Sequence, residues 1–363
     1  MSAQTPLPPL RSAARIAVLR ALNLGDLLCA VPALRALRAA APSARITLIG
    51  LPWARAFVDR FGLLVDAFVE YPFGEALPAP GSAEMEAFLA PLRARRFDLA
   101  LQMHGDGSRS NAIVGALGAR MHGGFHPPDT PAPGPWYLPW QDDESEIRRW
   151  LRLAEHLGAG RHSEALEFPL RDNDREAAAA LLSARGVRGP YLCVHPGARL
   201  RSRRWPLTRF AAVAGALRAD GWPLVLTGCA GEAELTAGLA DALRPPPWAP
   251  PDPPVVDLAG CTDLGTLAAL IDGAAGLVCN DTGVSHIAAA LATPSLVVSC
   301  GSDVRRWAPG DRTRHRVLAA HPPCRPCAFD DCPHGHVCAL EIGSVHALAG
   351  VRRLLEELQI RAA

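Results

Sequence analysis

The chain has 363 residues, 49% hydrophobic and 20% charged, which is enough for about two domains with the balance of a globular protein. Lys+Arg total 37 against 36 Asp+Glu, and a formal charge of +1 argues against a dedicated nucleic-acid binder. All 37 cations are arginine, so P-loop, Schiff-base and general-base lysines are excluded, and an anionic ligand must be held by arginine, backbone N–H groups or a helix N-terminus. In the N-terminal segment Arg15, Arg20 and Asp26 interrupt the apolar run and no small-residue cleavage site closes it, unlike a secretory signal. No run of about 18 uncharged apolar residues is present to span a membrane. A cytoplasmic protein is expected, with its 10 cysteines mostly reduced.

In chain order, RIAVL (15–19) predicts a strand, Asn23–Asp26 a turn, and the residues to about Ala40 a helix. ARITLIG (44–50) predicts the next strand, followed by a helix over 53–61. DAFVEY (66–71) and FDLALQM (97–103) continue the strand–helix alternation of an α/β domain with a largely parallel sheet. The Gly- and Pro-rich stretch 121–146 reads as loop, and a helix at 144–158 closes the first half. The second half restarts with YLCVHPGA (191–198), a helix opened by Pro206, and the strand WPLVLTG (222–228) with a helix from Glu232. The proline-rich stretch 244–254 reads as a stiff surface loop. VVDLAG, GLVCN and SLVVSCG add three strands, and VHALAGVRRLLEELQI forms a terminal amphipathic helix. The expected division is 1–174, 175–345, and a helix at 346–363 that packs back on the N-terminal domain. Two such halves predict a ligand cleft at the carboxyl ends of their strands.

Four segments carry chemistry. In LVCNDTGVSHIAAALATPSLVV (277–298) a strand ends at Asn280 and a helix begins near Gly283. Gly283 permits close approach of a ligand, and the first-turn N–H groups with the Thr282 hydroxyl form an anion site, with His286 one turn on. Asp281 would repel a phosphate but accepts hydrogen bonds from sugar hydroxyls; the plainer roles are a helix cap for Asp281 and a packed core residue for His286. In VHPGARLRSRRWPLTRF (194–210) a strand opens into a loop with Arg199, Arg201, Arg203 and Arg204, where guanidinium groups suit a diphosphate. A solvated basic loop is the alternative. Glu232 follows a strand and opens a helix, where a carboxylate either holds a ribose diol or complements the helix dipole. Gly25-Asp26 lies where the first strand meets its helix; Asp26 is a candidate general base, although a capping role would lower its pKa and weaken it as a base.

Together these segments resemble the lipopolysaccharide heptosyltransferases of glycosyltransferase family nine. The resemblance runs through LGDLLCAVPALRALR, FDLALQMHGDGSRSNAI, HPGARLRSRRWP, and NDTGVSHIAAALATPSLVVSCGS followed by RWAPG, and covers nearly the whole chain. It implies the GT-B fold, an α/β arrangement of two Rossmann-like domains facing each other across a cleft. It implies inverting transfer of heptose from ADP-heptose to a lipopolysaccharide core or related glycan, with no required cofactor or metal. Carried over by residue, it makes Asp26 the base, places Asp281, Thr282, Gly283 and His286 at the donor sugar and diphosphate, and makes Glu232 the ribose-binding acid. Arg203 or Arg204 stands where the family commonly has lysine; both are carried as donor-binding candidates.

CRPCAFDDCPHGHVC holds Cys324, Cys327, Cys332 and Cys338 and is read first as reduced structural cysteines, then as a structural Zn site, then as a regulatory disulfide. Cys29, Cys193, Cys229, Cys261, Cys279 and Cys300 read as buried thiols. His104 and Arg109 of HGDGSRSN (104–111) are candidates for an anionic or lipid-linked acceptor. LRARRF (92–97) offers three cations, each contributing about 1 kcal/mol at an anionic surface, enough only for transient inner-membrane association. The competing readings are a GT-B transferase or epimerase using a UDP-sugar, and a non-catalytic nucleotide-sugar binder. A nicotinamide dehydrogenase is disfavoured because no G-x-G-x-x-G follows the first strand.

Overall fold

The computed structural model describes residues 9–362 apart from 75, 77, 79, 80, 247 and 249–252, so the first eight residues and most of the proline-rich loop lie outside the described residues. The chain forms two compact units, Met1–Ala165 and Leu166–Ala363. Among the described residues no helix is long and apolar enough to cross a membrane.

In the first unit, strands β1 (Arg15–Leu19), β2 (Arg45–Gly50), β3 (Ala67–Glu70), β4 (Leu99–Gln102), β5 (Met121–His126) and β6 (Tyr137–Pro139) form one sheet in the order β3-β2-β1-β4-β5-β6. Every pairing is parallel. The inner strands are buried apolar runs, as a parallel sheet covered on both faces requires. Helix Leu24–Ala40 packs against Glu146–His156, whose strongly amphipathic face buries Trp150, Leu151 and Leu153.

The stretch expected as loop over 121–146 contains β5 and β6. Its glycines belong to the sheet: a Cβ at Gly124 would lie 2.7 Å from the Gln102 side chain, and one at Gly123 would lie 2.6 Å from the Trp136 carbonyl. A composition that suggests a loop is here the condition for close strand packing.

The second unit repeats the plan. Strands β7 (Leu192–His195), β8 (Leu224–Leu226), β9 (Val255–Asp257), β10 (Gly276–Asn280), β11 (Ser295–Ser299) and β12 (His315–Ala319) are all parallel, in the order β12-β11-β10-β7-β8-β9. Read from β9, this is the strand order of the first unit and of the dinucleotide-binding α/β fold. In each unit the chain reverses direction across the sheet between the first and fourth strands, β1/β4 and β7/β10, where ligands of such sheets bind.

The units part nine residues earlier than the sequence suggests, because helix Asp172–Ala184 packs against Leu264–Asp272 and Arg175 pairs with Asp272. The C-terminal helix Ser344–Ala362 belongs to the second unit. Its Ala347, Val351 and Leu355 join the buried core of the second unit with Trp205, Leu296 and Ile342, and Arg352 pairs with Asp220 at 2.8 Å.

Candidate active site

In the second unit the chemistry-bearing loops leave the carboxyl ends of β7, β8, β10 and β11. Asn280, the fully buried last residue of β10, ties two of them together. Its Nδ2 donates to the carbonyls of Pro196 (2.7 Å) and Gly197 (3.3 Å), and its Oδ1 accepts from the Trp205 N–H at 2.9 Å. Trp205 is itself buried, with its indole N–H donating to the Ile342 carbonyl at 3.0 Å.

Glu232 lies at the N-terminus of helix Ala233–Ala242, after β8, and its Oε2 accepts from the Cys229 N–H at 2.9 Å. The carboxylate folds onto the backbone at Gly197, with His195 Nε2 3.8 Å away. His195 Nδ1 lies 3.1 Å from the Thr227 hydroxyl, and burial lowers the imidazole pKa against the opposing pull of Glu232. A neutral imidazole thus backs a carboxylate whose side chain keeps 11% of its surface exposed, and whose oxygens can accept hydroxyl donors from a diol.

Beyond Asn280, Thr282 adopts an extended backbone at the N-cap of helix Gly283–Ala290; the Ser285 N–H turns back to the Thr282 carbonyl at 3.0 Å, and the Gly283 and Val284 N–H groups precede the intrahelical ladder. Asp281 is not the cap. Its Oδ2 accepts from the Ser302 hydroxyl and, at 3.3 Å, from that of Ser299; Ser299 ends β11, Ser302 follows it, and both are fully buried. His286 is buried at 3% exposure, with its ring edge-on to Trp307 at 6.2 Å, which matches the packed-histidine reading.

The arginine loop divides by partner. Arg201 pairs with Asp331 (Nε–Oδ1 2.6 Å), and Arg204 Nε donates to the Ala198 carbonyl at 2.8 Å, bracing its own loop. Arg203 donates through Nη2 to the Cys327 carbonyl at 3.1 Å, while its buried Nε has no hydrogen-bond partner among the described residues. Burial lowers the Arg203 pKa, and the nearby Asp281 charge opposes that. Arg199 and Arg306 also lie within electrostatic reach, so several guanidinium groups share this corner with one carboxylate.

In the first unit, Asn23 is the N-cap of helix Leu24–Ala40, and Asp26, its third residue, takes part in the capping as the carboxylate of a capping box. Asp26 Oδ2 accepts from the Asn23 N–H at 3.3 Å and its side chain is half-buried. Its carbonyl accepts from Arg20 Nε at 2.9 Å. Arg20 is buried, stacks over Trp150 at 4.5 Å and pairs with Glu146 at 3.2 Å; Glu146 also binds Arg149 at 2.6 Å. After β4, Gln102 and Ser110 bind the His104 carbonyl at 2.6 and 2.7 Å, with His104 buried and Arg109 exposed.

Cys324, Cys327, Cys332 and Cys338 are free thiols, and no metal-holding group of three or more His, Cys, Asp or Glu occurs among the described residues. The segment instead fastens to its neighbours through backbone, with the Cys327 N–H donating to the Gly301 carbonyl at 2.8 Å. Of the six cysteines expected as buried, Cys229 and Cys261 are exposed, because both sit in turns beyond strands rather than within them.

Residues 85–338, more than half the chain, match glycosyltransferase family 9 (heptosyltransferase). The chain belongs to that family. It is 34% identical over 128 residues to lipopolysaccharide heptosyltransferase 3 of Escherichia coli (strain K12), covering 35% of this chain and 36% of that protein. It is 26% identical over 315 residues to lipopolysaccharide heptosyltransferase 2 of the same organism, covering 81% of this chain and 85% of the relative. The solved E. coli ADP-heptose lipopolysaccharide heptosyltransferase II superposes with a TM-score of 0.72 at 20% identity, covering 95% of this chain and 99% of that one. The fold is GT-B, with two Rossmann-like α/β units.

Within this family 9 glycosyltransferase the second unit brings together Arg203, Asp281, Thr282 and Gly283, and Asn280 joins their loop to Gly197 and Glu232. Asp26, His104 and Arg109 belong to the first unit. Sequence reasoning missed Asn280, Ser299, Ser302, Arg325 and the Arg20–Glu146 pair. Asn280 was signalled by its place at a strand end beside Asp281; the others are joined by contacts distant in sequence.

Proposed function

We propose that this chain transfers a heptose from ADP-heptose, with inversion, to a hydroxyl of a lipopolysaccharide core or related anionic glycan. The observation that carries this reading is the corner built by Asn280, where the Arg203 guanidinium, the helix N-terminus at Thr282–Gly283 and Glu232 surround the carboxyl ends of β7, β8 and β10. A ribose diol would bind Glu232, and the diphosphate would bind the helix N–H groups and Arg203. Between the two arginine candidates, the unpartnered Nε favours Arg203, because Arg204 spends its own Nε on Ala198. Asp281 would accept hydroxyls of the donor sugar. The sequence similarity to heptosyltransferases 2 and 3 supports the choice of donor.

In the proposed step Asp26 takes the proton of the acceptor hydroxyl as its oxygen attacks the anomeric carbon from the face opposite the diphosphate. The bond from that carbon to the diphosphate oxygen breaks, and ADP leaves with charge stabilised by the helix end and Arg203. His104 and Arg109 are the proposed acceptor contacts. A lipid-linked acceptor would put the enzyme at the cytoplasmic face of the inner membrane, held transiently; Arg95 and Arg96 are exposed for that contact. The test is incubation with a panel of nucleotide-sugars, following nucleoside diphosphate release with and without acceptor. Release from ADP-heptose alone is expected, and preference for a UDP-sugar overturns the donor assignment.

A further inference from the structure

The cysteine-rich segment after β12 carries an arginine that reaches into the donor corner. Arg325 makes three hydrogen bonds: Nη2 to the Ser299 hydroxyl at 2.6 Å, Nε to the Ser302 carbonyl at 2.8 Å, and Nη1 to the Ala320 carbonyl at 2.6 Å. Ser299 and Ser302, with hydroxyls 2.8 Å apart, both donate to Asp281 Oδ2. The guanidinium is therefore one hydroxyl away from the carboxylate. It occupies an acceptor site on Ser299, which turns the serine proton toward the Asp281 Oδ2 and Ser302 hydroxyl side, and it fixes Ser302 through its backbone. Both serine contacts fall on the same carboxylate oxygen, Oδ2.

The same segment holds the arginine loop along its length. The Ser202 N–H donates to the Asp330 carbonyl at 2.8 Å, and its hydroxyl to the Phe329 carbonyl. His336 Nε2 lies 2.8 Å from the Ser202 carbonyl, and Arg203 Nη2 donates to the Cys327 carbonyl. Arg209 Nη1 donates to the Ala339 carbonyl at 3.0 Å. The segment thus touches Arg203 directly and reaches Asp281 through the serine hydroxyls.

We propose that Arg325 is a positioning residue for Asp281. Acting through Ser299 and Ser302, it pins one carboxylate oxygen and leaves the other for a hydroxyl of the donor sugar. Its positive charge also offsets the cost of holding a carboxylate beside a diphosphate. This rests on Asp281 belonging to the donor site, and the experiment separates the two ideas.

The test is a double-mutant cycle on the full chain, reading KM for ADP-heptose, KM for the acceptor, kcat and melting temperature. Arg325→Gln is expected to raise donor KM about tenfold, the usual scale for losing a charge-assisted hydrogen-bond network, and to leave acceptor KM within about twofold. Arg325→Lys should restore part of the loss, since an ammonium can still donate to Ser299. In an Asp281→Asn background Arg325→Gln should add little. Ser302→Ala, a smaller change, should raise donor KM in the same direction without lowering the melting temperature, and carries the test if Arg325→Gln misfolds. A full additional effect in the Asp281→Asn background, or a fall in kcat or melting temperature at constant donor KM, overturns the positioning role. If Asp281→Asn itself leaves donor KM unchanged, the donor-site reading has failed and the proposal falls with it.

Discussion

Glu232 lies so close over Gly197 that a Cβ at residue 197 would sit 2.0 Å from Glu232 Oε1 and 2.3 Å from its Cδ. Glycine is needed there for the space it leaves. The Glu232 carboxylate is meanwhile tethered at 2.9 Å to the Cys229 N–H, so it cannot swing aside without losing its cap.

Gly197→Ala therefore tests the placement of the ribose-binding acid. Displacing Glu232 costs the fold about 1 kcal/mol, the scale of a lost cap. ADP affinity should fall by about tenfold, as expected for a lost hydrogen bond to a charged group. Calorimetric titration with ADP, beside a melting curve, checks both; undiminished affinity in a folded variant removes Glu232 from the nucleotide site.

Burial of the Arg20–Glu146–Arg149 network makes it sensitive to one-sided removal. Glu146→Gln leaves two buried guanidinium groups without their carboxylate and should cost about 3–5 kcal/mol. Arg20→Met should also release the Asp26 carbonyl and lower kcat more than donor KM. Urea unfolding followed by tryptophan fluorescence measures the first effect, with Trp150 stacked under Arg20 as a local reporter. A loss below about 1 kcal/mol, ordinary for an exposed pair, contradicts the buried-network account.

His315 gives the protein an acid-side liability. It is 2% exposed and 2.9 Å from the Ser295 hydroxyl, and burial lowers its pKa from 6.5 to about 4. Between those values the unfolded chain binds a proton that the folded chain does not. This contribution is thus fully present above pH 6.5 and is lost as pH falls toward about 4, with a total near 3 kcal/mol. His195, lowered by burial as well, acts in the same direction below its unfolded value. Urea midpoints across that range should decline less steeply for His315→Asn than for the parent protein; an unchanged decline refutes the assignment.

The parallel α/β character was legible because buried strands such as RIAVL and SLVVS are continuous apolar runs bounded by polar turns. β12 was not: its first residues, His315 and Arg316, look like solvent residues, and only the Ser295 hydroxyl and Glu357 explain how they fit. The donor corner was legible where a motif lies on one strand end, as with Asp281, Thr282 and Gly283 after β10. It was illegible where it depends on tertiary approach: Arg325 meets Ser299 across 26 residues, and Arg203 meets Cys327 across 124. The cysteines drew attention by their spacing, yet the backbone and the arginine between them make the contacts.

If Asp26 is the base, Asp26→Asn should lower kcat by about 100- to 10,000-fold, the range of general base catalysis, while ADP affinity stays within about twofold. Single-turnover rates with saturating donor separate chemistry from binding. A rate within about threefold of the parent enzyme would place the base elsewhere.

The proposed reaction is transfer of a heptose from ADP-heptose. It is met most directly by mass spectrometry of an acceptor glycan after incubation with purified protein and ADP-heptose, alongside ADP release. An acceptor heavier by one heptosyl unit is expected, formed in step with ADP and abolished by Asp26→Asn. Release of ADP with no gain in acceptor mass, or transfer only from a UDP-sugar, would contradict it.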